Sequence, residues 1–223
     1  MGIKVVGISS SPRRAGNSDR LLSEALAGAE AAGAETEYVP LRTATLRPCI
    51  SCSACQKTGR CVFAAKDDYG SILATMLAAD RLIFATPIYF MAVSAQAKLL
   101  IDRCQCLWAE KYVLKSTPEE RKARDLRGMV IAVGGCASTR MFESVRMTMK
   151  YFFDVLEMRY AYSLWVNRID DSGEINAHPA ALAEAHRLGG RLVTGPRPTA
   201  GKSKRVLLIA GERSFGTEEE HGK

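Results

Sequence analysis

The sequence predicts an α/β protein built on a five-stranded parallel, doubly wound sheet with helices on both faces. Three observations carry this. Short β-branched apolar runs alternate with segments of helical spacing along the chain. The apolar runs are nearly continuous rather than alternating with polar residues, which is how strands read when both faces are covered. The 223 residues, 47% hydrophobic and 25% charged, supply enough apolar surface for one large domain and exclude wholesale disorder.

The elements follow in order. Residues 3–8 form a β-branched run that ends in Ser9-Ser10-Ser11-Pro12, a strand entering a loop. Helical spacing begins near Asn17, with Leu21, Leu22, Ala25, Leu26 and Ala29 on one side, and closes at Gly33. Residues 37–41 offer the second strand, 69–79 a helix, and 81–86 the third strand, stopped by Pro87. A helix over 93–108, a polar connection over 115–127 and a fourth strand over 129–133 come next. A helix over 141–158, a fifth strand over 160–166 and a helix over 177–193 complete the set. Right-handed crossovers then give strand order 2-1-3-4-5, the flavodoxin-like arrangement. The domain covers 1–195. Residues 196–223, rich in Gly, Pro and charge, read as a flexible tail, with Val206-Leu207-Leu208-Ile209-Ala210 as an alternative edge strand or oligomer contact.

Composition narrows function by exclusion. The longest charge-free stretch, 82–97, is too short and too polar to span a membrane. The first residues lack the apolar core and cleavage site of a signal peptide, so the expected location is cytoplasmic. In that reducing compartment the seven cysteines are not expected to form disulfides. Net charge is +7 but diffuse, with no basic stripe interleaved with aromatics, which argues against nucleic-acid binding. His178, His186 and His221 are scattered without ligand spacing, and Glu218-Glu219-Glu220 reads as solvated tail.

In a doubly wound sheet, ligands bind beyond the C-terminal ends of the strands. The first loop there, Ser9 through Ser18, fits neither the dinucleotide fingerprint nor the P-loop pattern. It offers hydroxyls, an amide and arginine just ahead of a helix start, where backbone N–H groups and the helix dipole favour a phosphate. The competing reading is plain capping by Asn17 or Ser18.

The run Gly7-Ile8-Ser9-Ser10-Ser11-Pro12-Arg13-Arg14-Ala15-Gly16-Asn17-Ser18 resembles the phosphate loop of the NAD(P)H-dependent FMN reductase and flavodoxin-like family. Thr86-Pro87-Ile88-Tyr89-Phe90, followed by Ser94, Lys98 and Asp102-Arg103, is similar to that family's second flavin loop and the helix after it. Gly134-Gly135-Cys136 stands where its third flavin-contacting loop lies. The resemblance covers roughly 3–195. It implies that Ser9, Ser11, Arg13, Asn17 and Ser18 hold the FMN phosphate. The backbone of Pro87, Ile88, Tyr89, Phe90 and Met91, together with Gly134 and Gly135, would border the flavin ring. For Tyr89 and Phe90 the competing reading is core packing at a strand end.

Residues 42–68 form a long stretch without clear period, which needs a function or a tether. It contains Cys49, Cys52, Cys55 and Cys61, in C-x2-C-x2-C-x5-C spacing. Compact runs of this kind let one loop wrap an iron–sulfur cubane, and Gly59 allows the chain to fold back toward Cys61. The spacing also matches the iron–sulfur flavoprotein branch of the same family, which carries a [4Fe–4S] cluster, and Asp67-Asp68 follow as they often do in the wider family. Zinc and unoccupied thiols remain the alternatives, zinc being the poorer fit because its sites usually pair two distant C-x-x-C units. Cys104, Cys106 and Cys136 read as structural, with Cys136 close to the expected flavin edge.

The resulting expectation is an FMN-dependent oxidoreductase. It would take electrons from NAD(P)H or a ferredoxin-like carrier and pass them to a small-molecule acceptor, directly or through the cluster. No side chain is assigned an acid–base role. A cluster-free flavin or quinone reductase and a non-catalytic flavodoxin-type carrier are the alternatives. The resemblance further implies a homodimer or homotetramer.

Overall fold

The computed structural model describes residues 2–197 and 204–209. The chain runs β1 (Lys4–Ser9), α1 (Asn17–Ala31), β2 (Glu35–Pro40), α2 (Cys55–Thr58), α3 (Tyr69–Ala78) and β3 (Arg81–Tyr89). It continues with β4 (Ala92–Val93), α4 (Ala95–Arg103), α5 (Gln105–Trp108), α6 (Glu119–Ala123) and β5 (Arg127–Val133). It closes with α7 (Met141–Val155), β6 (Arg159–Asn167), α8 (Pro179–Thr194) and β7 (Lys204–Ile209). The sheet order is β2-β1-β3-β5-β6-β7, every pair on that path parallel, with short β4 antiparallel to β3. The expected 2-1-3-4-5 order is therefore present among the first five parallel strands, β2-β1-β3-β5-β6.

Side chains alternate across the sheet with period two. Val5, Ile83, Ala85, Met129 and Ile131 enter one core with α1 and α8, while Val6, Ile8, Leu82, Phe84 and Val130 enter the other with α3 and α7. On the first face α1 and α8 touch backbone to backbone. A Cβ on Gly189 would lie 1.8 Å from the Ala25 carbonyl oxygen, and one on Gly28 would lie 1.9 Å from that of His186. At the opposite end from the ligand edge, buried Arg81 and Arg127 donate to the carbonyls of Leu192 and Gly195, at 2.8 and 2.6 Å. They satisfy the open C-terminus of α8 with the charge its dipole prefers.

Three expectations need correction. Pro87 does not stop the third strand, which continues to Tyr89 with Pro87 paired to Val133. Ala85 accepts from the Ser10 N–H, so position 87, two residues on, faces the flank that β1 has already vacated. No N–H is required there. The continuous helix expected over 93–108 is instead β4, α4 and α5. The α4 helix is opened by Ser94, whose Oγ accepts from the Ala97 N–H. For the tail, the flexible reading gives way to the alternative edge strand: residues 204–209 pair in parallel with 162–167 of β6 as a sixth parallel strand at the edge. The rest of the expected tail after 197, with His221 and Glu218-Glu219-Glu220, lies outside the described residues.

Candidate flavin and cysteine sites

The phosphate-loop residues lie beyond the C-terminal end of β1, ahead of α1. Helix α1 has Gly16 at its N-cap and no side chain capping it, so neither Asn17 nor Ser18 takes that role. Its first-turn N–H groups are left for an external acceptor. Gly16 is also a cradle position, because a Cβ there would sit 2.8 Å from Ser11 Oγ. The Ser11 hydroxyl bonds the Arg13 carbonyl at 3.0 Å and accepts from the Arg13 N–H at 3.2 Å, closing a tight turn. Ser18 is buried.

Besides Ser11, three of the expected phosphate ligands have protein partners. Ser9 Oγ donates to Asp19, whose other oxygen pairs with Arg42 at 2.9 Å. Asn17 donates to the Asp171 carbonyl at 2.8 Å and accepts from the Ile175 N–H at 3.2 Å. Arg13 reaches the Asp170 carbonyl at 3.2 Å. Asp19, Arg42 and the segment 170–175 are therefore parts of this site that sequence reasoning missed. Asp19 carried one available signal, as an acidic residue in the first turn of a helix.

The second loop is a tight hairpin. Ile88 and Tyr89 pair with Val93 and Ala92, and the two connecting residues, Phe90 and Met91, take φ of 49° and 60°. Left-handed backbone at two non-glycine residues is strained, and such strain persists where surrounding structure holds it. The Met91 carbonyl accepts from Ser144 of α7, and Ser94 Oγ donates to the Ser10 carbonyl at 2.8 Å, tying this loop to the first. Tyr89, Phe90 and Met91 are exposed, which removes core packing as their role, while Ile88 is half-buried against the core. The third loop closes the ring: Gly134 donates to the Val166 carbonyl at 3.0 Å, and Gly135 backs onto Asp170. Cys136 is exposed here rather than buried with Cys104 and Cys106.

The cysteine loop leaves the sheet after β2 and returns at α3. Its base is tied by Asp68, which accepts from the Thr45 N–H at 2.7 Å, and by Asp67, which accepts from the Arg47 N–H at 2.9 Å. Ser51 and Ser53, between the first three cysteines, have φ of 54° and 56°, and Gly59 has φ of 69°. These left-handed residues curl the chain so that Cys49, Cys52, Cys55 and Cys61 line one cavity of ≈ 140 Å³, closed by Phe63, Arg103 and Cys106. Burial, with the neighbouring Cys49, Cys52 and Cys61 and against a backbone hydrogen bond, pushes the Cys55 thiol up. Among the described residues, no three His, Cys, Asp or Glu side chains are close enough together to grip a single metal ion.

Arg103, placed by the sequence only in the helix after the second flavin loop, belongs to the cysteine site. Its side chain and that of Asp67 are both fully buried. They pair through two bonds, at 2.7 and 3.3 Å, and Arg103 Nε donates to Cys61 Sγ at 3.1 Å. Burial alone would raise the Asp67 carboxyl, but Arg103 and the N–H groups of Arg47 and Tyr69 hold it below the usual carboxylate range.

A parallel α/β sheet with an uncapped helix at the end of β1 and two further loops closing over that edge defines a flavodoxin-like protein. The chain belongs to the NADPH-dependent FMN reductase family, whose model matches residues 3–172. It is 45% identical over 105 residues to an iron–sulfur flavoprotein of Methanocaldococcus jannaschii, covering 47% of this chain and 53% of that protein. It is 35% identical over 133 residues to an iron–sulfur flavoprotein of Methanosarcina thermophila, covering 60% and 64%. These matches span about half to two-thirds of the relatives' own lengths. Among solved structures, the Trp repressor binding protein of Bacillus subtilis superposes with a TM-score of 0.56 at 25% identity, covering 82% of this chain and 96% of that one.

Proposed function

We propose that this chain is an FMN-dependent oxidoreductase. It takes electrons from NAD(P)H, or from a ferredoxin-like reduced carrier, and delivers them to a small-molecule acceptor by way of a [4Fe–4S] cluster on Cys49, Cys52, Cys55 and Cys61. Bound FMN supplies both hydride acceptance and single-electron transfer.

The residues present suit that cofactor. The open N-terminus of α1, the Gly16 cradle, Ser11, Ser18 and Arg13 suit its phosphate, while Ser9 and Asn17 brace the loop through Asp19 and residues 171–175. The backbone of 87–91 and Gly134-Gly135 would edge the ring, with exposed Tyr89 and Phe90 available to lie against a face of it.

The observation that carries the cluster reading is the single cavity ringed by four thiols. They surround a space instead of converging on a point, which suits a polynuclear cluster better than zinc. Both named relatives above are iron–sulfur flavoproteins, in keeping with this.

A second copy of the chain is part of the proposal, as a homodimer or homotetramer in the cytoplasm. Phe90 and Met91 of the hairpin, with Met147 and Tyr151 on the α7 face that begins at Ser144, form an exposed apolar patch beside the flavin edge. Among the described residues no helix is long and apolar enough to cross a membrane.

Anaerobic stopped-flow mixing with NADPH and with NADH, followed by dithionite, tests the function. Rapid bleaching of the flavin by a nicotinamide, and a further loss of broad visible absorbance with dithionite, is the expected result. A flavin that stays oxidised with both nicotinamides, and that a reduced ferredoxin-like protein does not reduce catalytically in the presence of an acceptor, would make the protein a carrier. Spectra containing only flavin bands would make it a cluster-free reductase.

A further inference from the structure

Among the described residues, the Arg103 guanidinium is the one positive group whose donor the structure gives to a cysteine of the loop. It is fully buried, stacked 4.3 Å from the centre of the Tyr69 ring and 5.8 Å from that of Phe63. Three of its directions are accounted for: two to Asp67, one to the Arg47 carbonyl at 3.0 Å. Of the two donors left, Nε points at Cys61 Sγ. A buried ion pair is a poor device for stability alone, because apolar residues of the same volume commonly serve as well. The placement of Nε on a sulfur calls for a second reason.

Helix α4 supplies the context. Its cap, Ser94, is bonded to Ser10 in the phosphate loop, and its last residue is Arg103. Nine helical residues rise about 13 Å. One rigid element thus joins the flavin edge to the cysteine cavity.

We propose that Arg103 is a positioning residue for the iron–sulfur centre: it orients Cys61 through the Nε–H···Sγ bond, and its charge, balanced by Asp67, sets how readily the cluster accepts an electron. This rests on the cluster reading above. One-electron reduction adds one negative charge to the cluster, from dithionite in a titration, with no proton required. Hydrogen bonds to the sulfurs and nearby charge shift that equilibrium. Arg103 favours the reduced form and Asp67 opposes it, so removing either charge moves the midpoint in opposite directions.

The experiment is an anaerobic redox titration, followed by electron paramagnetic resonance, on holoprotein reconstituted with iron and sulfide. Arg103→Gln is expected to disfavour reduction at least tenfold, a fall of about 59 mV for one electron. Asp67→Asn is expected to favour it by a similar factor. Equal midpoints in wild type and both variants, or shifts of the same sign, would overturn the role of Arg103 while leaving the cluster intact. A wild-type protein that takes up no iron or sulfide would overturn the cluster reading and this inference with it. Both variants disturb a buried pair, so a measurement on wild type stands beside them. Protein labelled with [15N]arginine should give a 15N hyperfine coupling to the reduced cluster. A labelled, reduced protein without that coupling overturns the proposal whether or not the variants fold.

Discussion

Asp67 sits where two loop strands, a helix end and an arginine meet, and it is the residue whose loss should be felt most. Removing one partner of a buried pair leaves the other charge uncompensated, at a cost of about 3–5 kcal/mol. Asp67→Ala should therefore lower the urea midpoint sharply without changing the m-value. A normal midpoint would mean that the Arg103 pair contributes nothing to the fold. Asp67, Asp80 and Asp125 are all held below the ordinary value of 3.8 despite burial, by hydrogen bonds from arginines and backbone N–H groups. A depressed native value adds stability that is complete above the unfolded value and is lost as pH falls through the native one. Chemical denaturation from pH 7 downward should be flat as far as these three are concerned until about pH 4, then decline. A decline centred near pH 6 would contradict that assignment. At the phosphate loop, Arg13→Ala should weaken FMN binding by on the order of tenfold, the loss of one charge-assisted contact. Fluorescence titration of apoprotein reads this directly, and an unchanged affinity would remove Arg13 from the site.

Among the elements, the contact of α1 with α8 is the tightest. Gly189→Ala forces a Cβ against the Ala25 carbonyl, so the helices must separate at a cost of about 1–3 kcal/mol. For a chain of this size each kcal/mol is worth about 2–4 °C, and calorimetry should find Tm lowered by several degrees. A rise in Tm would show that the helices are not held this close. Local pattern made most elements legible: the apolar runs of β1, β3, β5 and β6 and the one-sided spacing of α1 were enough to order the sheet. The cysteine cavity was legible for a related reason, since its four thiols are near one another in sequence. What failed depended on partners far away in the chain. Pro87 reads as a strand stop unless it is known that β1 has ended beside it. Residues 204–209 gain strand structure from the exposed edge of β6. Ser9 and Asn17 look free until Asp19 and residues 171–175 are beside them. Arg103 reads as part of the helix after the second flavin loop and not of the cysteine site, because Cys61, to which it donates, lies 42 positions earlier.

Across the whole molecule, the two proposed cofactor positions share one edge region. The three loops proposed for the flavin are knitted together by Ser10, Ser94, Ser144 and residues 170–175, and the base of the cysteine loop is fastened through Asp67 and Asp68 and, by Arg103, to α4. The apolar patch of Phe90, Met91, Met147 and Tyr151 leads to an expectation at this scale. Light scattering should give at least twice the chain mass of 24.3 kDa, and Phe90→Asp should shift it toward the monomer. A monodisperse wild-type monomer would assign the patch no partner copy. The account as a whole is tested most directly by counting flavin, iron and acid-labile sulfide in protein prepared and reconstituted without oxygen. It predicts one FMN with four iron and four sulfide per chain, the metal lost together in Cys55→Ala while the flavin stays. Flavin at full occupancy with no iron would contradict it.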